Sequence, residues 1–112
     1  MNDLTATLVE LIDTPSETGG EGRIATHVAA GSLPVWGRLG VDRIGNSVVV
    51  GTRSERPMVL LVGHLDTVPS QGQAPAFVAD GRVHGLGASD MKAGIAVMMH
   101  LINERPARRW CG

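Results

Sequence analysis

One stretch constrains the fold more than any other: Met58-Val59-Leu60-Leu61-Val62, five apolar residues in a row that run into Gly63-His64-Leu65-Asp66. A strand with one wet face alternates apolar and polar side chains. An unbroken apolar run therefore reads as a strand covered on both faces. Val48-Val49-Val50 is a second such run, set off from the first by the polar loop Thr52 to Arg56. Helices on both sides of a sheet supply that cover, which predicts an α/β layered architecture.

The chain has segments to provide those helices. Between Asp3 and Asp13, Leu4, Leu8, Leu11 and Ile12 recur at i, i+4, i+7 and i+8, one face of a helix, and Thr14-Pro15-Ser16 ends it. Glu21 to Ala30 reads as a weaker helix with Ile24, His27 and Val28 inward, closed by Gly31. A last helix is expected from about Met91 to Glu104, with Ile95, Met98, Met99 and Ile102 inward and Pro106 as its stop. Val35 to Ile44 is a poor strand interrupted by Gly37 and Gly40, and Gly45-Asn46 is a turn signal. Phe77-Val78 and Arg82-Val83 read as a hairpin across Asp80-Gly81.

A chain of 112 residues allows one domain, and no internal repeat or linker divides it. Aromatic residues are only 3%, so the core must be aliphatic. The net charge of −1 gives no electrostatic case for nucleic acid or an anionic membrane. No apolar run approaches the ~18–20 residues of a membrane span, and no basic-then-apolar leader opens the sequence. A cytoplasmic protein is the expectation. Cys111 is the single cysteine, which excludes an intrachain disulfide and a multi-cysteine zinc site.

Two constellations carry chemistry. His64 and Asp66 stand at i and i+2 directly after the apolar run, so in extended backbone both side chains leave the same face. Neutral imidazole is a good zinc ligand, and a carboxylate on its other nitrogen fixes the tautomer. A strand cap and a satisfied turn explain the same pair. The second constellation is Gly85-Leu86-Gly87-Ala88-Ser89-Asp90-Met91-Lys92-Ala93-Gly94, a glycine-rich turn that feeds the last helix. Taken alone, it reads first as Ser89 or Asp90 capping that helix. The Lys-Ser/Thr spacing of a phosphate loop is absent. Together the two segments supply an imidazole and two carboxylates, part of a site for zinc or a hard cation.

The segments 63–69 (Gly-His-Leu-Asp-Thr-Val-Pro) and 85–94 resemble the two N-terminal signatures of the M20 metallopeptidases and deacylases. Leu8 to Thr18 and Arg43-Ile44-Gly45-Asn46-Ser47 are similar to the same family, most of all to its desuccinylase branch. The resemblance implies the N-terminal portion of an α/β/α zinc-hydrolase domain over residues 1–104. It implies His64 as a ligand of one zinc and Asp90 as a bridge between two, cobalt being a possible substitute. Asp66 would be the catalytic-site acid that tunes His64, and a cis peptide is implied at Asp90-Met91. The implied reaction is hydrolysis of a small N-acyl amino acid, N-succinyl-LL-diaminopimelate giving succinate and LL-diaminopimelate in lysine biosynthesis. An acetylornithine-deacetylase or carboxypeptidase activity is the alternative within the family.

The chain also departs from that pattern. His84 stands where an aromatic residue is common and reads as a variant loop residue, while Leu86 stands where many members carry Arg. His27 and His100 read as structural or surface residues. The family's glutamate pair, its further acidic ligand and final histidine, and its lid and dimerisation domain have no counterpart in these residues. Members of the family are often homodimers. Residues 105–112 read as a tail foreign to the family. The expectation is a non-catalytic, truncated chain.

Overall fold

The computed structural model of the chain describes residues 3–51, 55 and 57–104. The apolar stripe of the first segment forms α1 (Asp3–Ile12), whose Leu11 is fully buried. Leu11 meets Ile95, Ala96 and Met99 of α3 (Ala93–Glu104) and Ile24 and Val28 of α2 (Gly22–Trp36) in one cluster. Leu8, Met98 and Leu65 pack against it. Leu4, expected inward, is exposed.

Helix α2 corrects the expected stop at Gly31, because it continues five residues further to Trp36. Gly31 lies where α2 and α3 approach: a Cβ there would stand 3.0 Å from the Met99 Cε. Its carbonyl also accepts from Asn103 Nδ2 at 3.1 Å. The glycine thus permits helix contact rather than ending the helix. Trp36 is buried at the far end and its Nε1 donates to the Ile102 carbonyl at 2.8 Å. Pro34 falls in the last turn, where its missing N–H removes a single helical bond. Val35 and Trp36 are accordingly helical, and strand structure begins only at Val41.

Strands β1 (Val41–Ile44) and β2 (Ser47–Val50) pair antiparallel across Gly45-Asn46, with Ile44 opposite Ser47. Arg43 fastens this hairpin to the start of α2. Its guanidinium bonds the Gly22 carbonyl at 3.1 Å and also the Thr26 hydroxyl. Strands β3 (Phe77–Ala79) and β4 (Arg82–His84) form the second hairpin, as the sequence predicts. Both turn residues, Asp80 (φ 53°) and Gly81 (φ 71°), take the left-handed backbone that a two-residue hairpin loop demands.

The mixed α/β class stands, but the strands form two separate antiparallel pairs. Met58–Val62 departs from its expected role. It joins no ladder, and its side chains are 48–88% exposed. A covered strand needs neighbours on its edges, and β2 pairs only with β1 among the described residues. No helix among them is long and apolar enough to cross a membrane. The expectations for Pro106, Cys111 and the 105–112 tail lie outside the described residues.

Candidate active site

His64 sits between two carboxylates. Its Nδ1 is 3.1 Å from Asp66 Oδ1, as the i, i+2 spacing predicts, and its Nε2 is 2.8 Å from Asp90 Oδ1. The other Asp66 oxygen, Oδ2, accepts the Thr18 hydroxyl at 2.6 Å. The two constellations singled out in the sequence therefore meet at one imidazole.

Polar stitches to the segment after α1 hold the His64–Asp66 turn in place. The Thr67 N–H donates to the Ser16 carbonyl at 2.9 Å, and the Thr18 N–H donates to the Thr67 carbonyl at 3.1 Å. The buried Ser16 hydroxyl donates to the Leu65 carbonyl at 2.7 Å. Further on, the Ser70 N–H donates to Glu17 Oε1 at 2.8 Å. Glu17 and Thr67 make a single parallel bridge.

Asp90 arrives from the opposite side, on a wide turn over Ala88–Lys92. The turn lies close against Thr67 because Gly87 (φ 77°) has no side chain. A Cβ there would stand 2.5 Å from Thr67 Cγ2. Capping, the first reading of this segment taken alone, is overturned. Gly87 is the entry residue, no side chain caps the turn, and Asp90 lies outside the helical region at φ −132°, ψ 89°. Its side chain is 87% exposed and reaches His64 instead. The Asp90-Met91 peptide is cis, as the resemblance implies.

Lys92 fixes this turn from beneath. It is only 2% exposed, and its Nζ donates to the carbonyls of Leu11 (2.7 Å) and Thr14 (2.9 Å). The end of a helix leaves such carbonyls without intrahelical partners and favours a cation there. Burial pushes the Lys92 ammonium pKa down.

The charges at the site reinforce one another. The hydrogen bond to Asp90, seconded by the Asp66 backbone carbonyl, raises the His64 pKa above the ordinary imidazole value. The Thr18 hydroxyl holds the Asp66 carboxyl below its ordinary value, with the His64 charge assisting. His64, Asp66, Asp90 and Thr18 open onto a cavity of about 510 Å³. In its wall, the Thr67 Oγ1 is buried without a hydrogen-bond partner.

His84 also lines the cavity, but from β4 rather than from a loop, with its ring stacked on Phe77 at 4.6 Å between centroids. His27 faces Glu10 at 3.6 Å, and His100 Nε2 is 2.9 Å from the Thr7 hydroxyl. Among the described residues no group of three or more His, Cys, Asp or Glu is arranged to hold a metal ion. Thr18, Ser16 and Lys92 were not singled out by sequence reasoning. The polar run Thr14-Pro15-Ser16-Glu17-Thr18 has no hydrophobic period to mark it; beyond its part in the family resemblance it reads as a helix stop, with no role given to a single side chain.

Residues 60–109 match the profile of peptidase family M20/M25/M40. A Mycobacterium tuberculosis protein bearing the name succinyl-diaminopimelate desuccinylase DapE is 45% identical over 100 residues, 88% of this chain and 27% of that relative. The Corynebacterium glutamicum succinyl-diaminopimelate desuccinylase is 41% identical over 93 residues, covering 80% of this chain and 25% of its own length. A Pyrococcus furiosus protein bearing the name LysW-lysine/LysW-ornithine hydrolase is 31% identical over 100 residues, 89% of this chain and 30% of its own. The chain belongs to the M20 family, a family of hydrolases. Within it, the chain is similar to the N-terminal part of the desuccinylases and spans about a quarter of their length.

Proposed function

We propose that this chain builds part of a zinc-dependent amide-hydrolase site. The reaction we assign to the complete site is conversion of N-succinyl-LL-diaminopimelate and water to succinate and LL-diaminopimelate, a cytoplasmic step of lysine biosynthesis. The observation that carries the reading is the placement of His64 between Asp66 and Asp90 at the mouth of the cavity. The desuccinylase relatives support the substrate.

Zinc takes imidazole nitrogen and carboxylate oxygen in sets of about four. His64 Nε2 and the Asp90 carboxylate offer one of each, 2.8 Å apart, so the donor types fit and two more donors are needed. When bound, zinc supplies Lewis acidity, polarising an amide carbonyl and making a water acidic. Asp66 accepts from Nδ1, which leaves the Nε2 lone pair for the ion and makes the imidazole more basic.

These residues do not complete a catalytic site. Among the described residues no glutamate lines the cavity to take a proton from water. Glu104 lies at the far end of α3, a helix of 12 residues and about 18 Å that starts beyond Asp90. The expected behaviour is weak zinc binding without turnover.

Calorimetric zinc titration of the 112-residue chain beside Asp90→Ala and His64→Ala, coupled to a succinate-release assay, tests both statements. Binding that both substitutions abolish supports the ligand assignment, and binding that neither changes overturns it. Zinc-dependent succinate release above a metal-free control would overturn the incompleteness. The LysW-hydrolase relative favours a second reading, the same chemistry on a different acyl-amine pair. Release of another amine in preference to diaminopimelate would select it.

A further inference from the structure

We infer that Thr18 is a positioning residue for His64, acting through Asp66: its hydroxyl fixes the carboxylate so that Oδ1 faces the imidazole Nδ1. The Thr18 hydroxyl has one proton and two acceptors in reach, Asp66 Oδ2 at 2.6 Å and the Thr67 carbonyl at 3.3 Å. The Thr67 carbonyl already accepts the Thr18 N–H at 3.1 Å. A short bond to an ionised oxygen is also the stronger of the two. The proton therefore goes to Asp66.

That bond matters because a carboxylate turns easily about its last torsion, which has broad, shallow minima. With Oδ2 anchored, Oδ1 is left to His64 at 3.1 Å. A neutral imidazole carries its proton on one nitrogen only, and the acceptor beside each nitrogen decides which. Two acceptors stand 3.1 Å from Nδ1, Oδ1 and the Asp66 carbonyl, and Asp90 at 2.8 Å from Nε2 competes with them for that proton, so Nδ1 loses ground to it when Oδ1 is unanchored. Thr18 thereby biases which ring nitrogen keeps a free lone pair. The backbone of Thr18 has a separate task, since its N–H belongs to the Thr67 bridge and survives any side-chain change.

The functional meaning of this arrangement rests on the reading of His64 as a metal-holding residue, but its test needs no metal. Imidazole 15N shifts of His64, recorded in the metal-free chain above the imidazole titration, report the ratio of the two neutral tautomers. Thr18→Val removes the hydroxyl and keeps the shape. The expected result is a ratio of Nδ1–H to Nε2–H lowered by about threefold or more, the scale of one net hydrogen bond. Thr18→Ser restores the hydroxyl and should hold the parent ratio. A parent ratio in Thr18→Val, or a Thr18→Ser ratio shifted as far as the valine variant's, overturns the proposal. Thr18→Ala is read in the same way should the valine variant lose its helical circular dichroism. Loss of helix in both would make the hydroxyl a folding element and overturn the proposal as well. The zinc titration is a separate experiment, so failure of either reading is seen independently.

Discussion

Met58–Val62 is five apolar residues in a row and remains exposed along its length, whereas Leu65–Thr67, only a few residues on, is fastened by bonds to Ser16 and Thr18. Only Gly63 and His64 separate the two stretches. They differ in what lies beside them. An apolar run becomes a strand only where an adjacent strand satisfies its N–H and C=O groups, and none of the described residues does this for Met58–Val62. Leu65–Thr67 finds its partners in a polar loop, so the site is ordered by hydrogen bonds that hydrophobic pattern does not announce.

The largest test of this contrast lies at Lys92. Replacing it by Met keeps the buried stem and removes two charge-assisted bonds, one to the last turn of α1 and one to Thr14 just beyond it. The expected loss is about 2–4 kcal/mol in urea denaturation. A loss below about 0.5 kcal/mol would show that the turn carrying Asp90 is not fastened from beneath. The next effect is in pH. His64 has a raised folded pKa, so its pairing contributes fully below the ordinary imidazole value and is lost as pH rises through the raised one. Stability should fall across that window, and His64→Gln should flatten the profile there. A parent-like slope in the variant would assign the dependence elsewhere. Asp66 acts in a separate window, because its lowered pKa gives a contribution present above the ordinary carboxylate value and lost in acid. The smallest effect belongs to the unpaired stretch: Val59→Ser, at a side chain 88% exposed, should change stability by no more than about 0.5 kcal/mol. A loss above 1 kcal/mol, a scale for lost apolar burial, would erase the contrast.

Much of this fold was legible from periodicity and turn chemistry. The stripes of α1 and α3 repeat at helical spacing, and Asp80-Gly81 can take the backbone that the β3–β4 turn requires. What escaped was set by contacts distant in sequence. Gly31 looks like a stop until Met99 is seen against it. Asp90 looks like a cap until the backbone at φ −132° turns its carboxylate toward His64. His64 and Asp66 were legible because both bond partners lie two residues apart. Thr18 was not, since its partner is 48 residues away.

That separation has a consequence for how the molecule comes into being. Bonds that shape the site join Thr18 to Asp66, His64 to Asp90, and Leu11 to Lys92 across 48, 26 and 81 residues. During synthesis the end of α1 is made eighty-one residues before the ammonium that secures it. Each such bond also closes a long loop, whose entropy must be offset by the contacts it brings together. The site is thus assembled from parts made at well-separated times, the earlier ones waiting for Lys92.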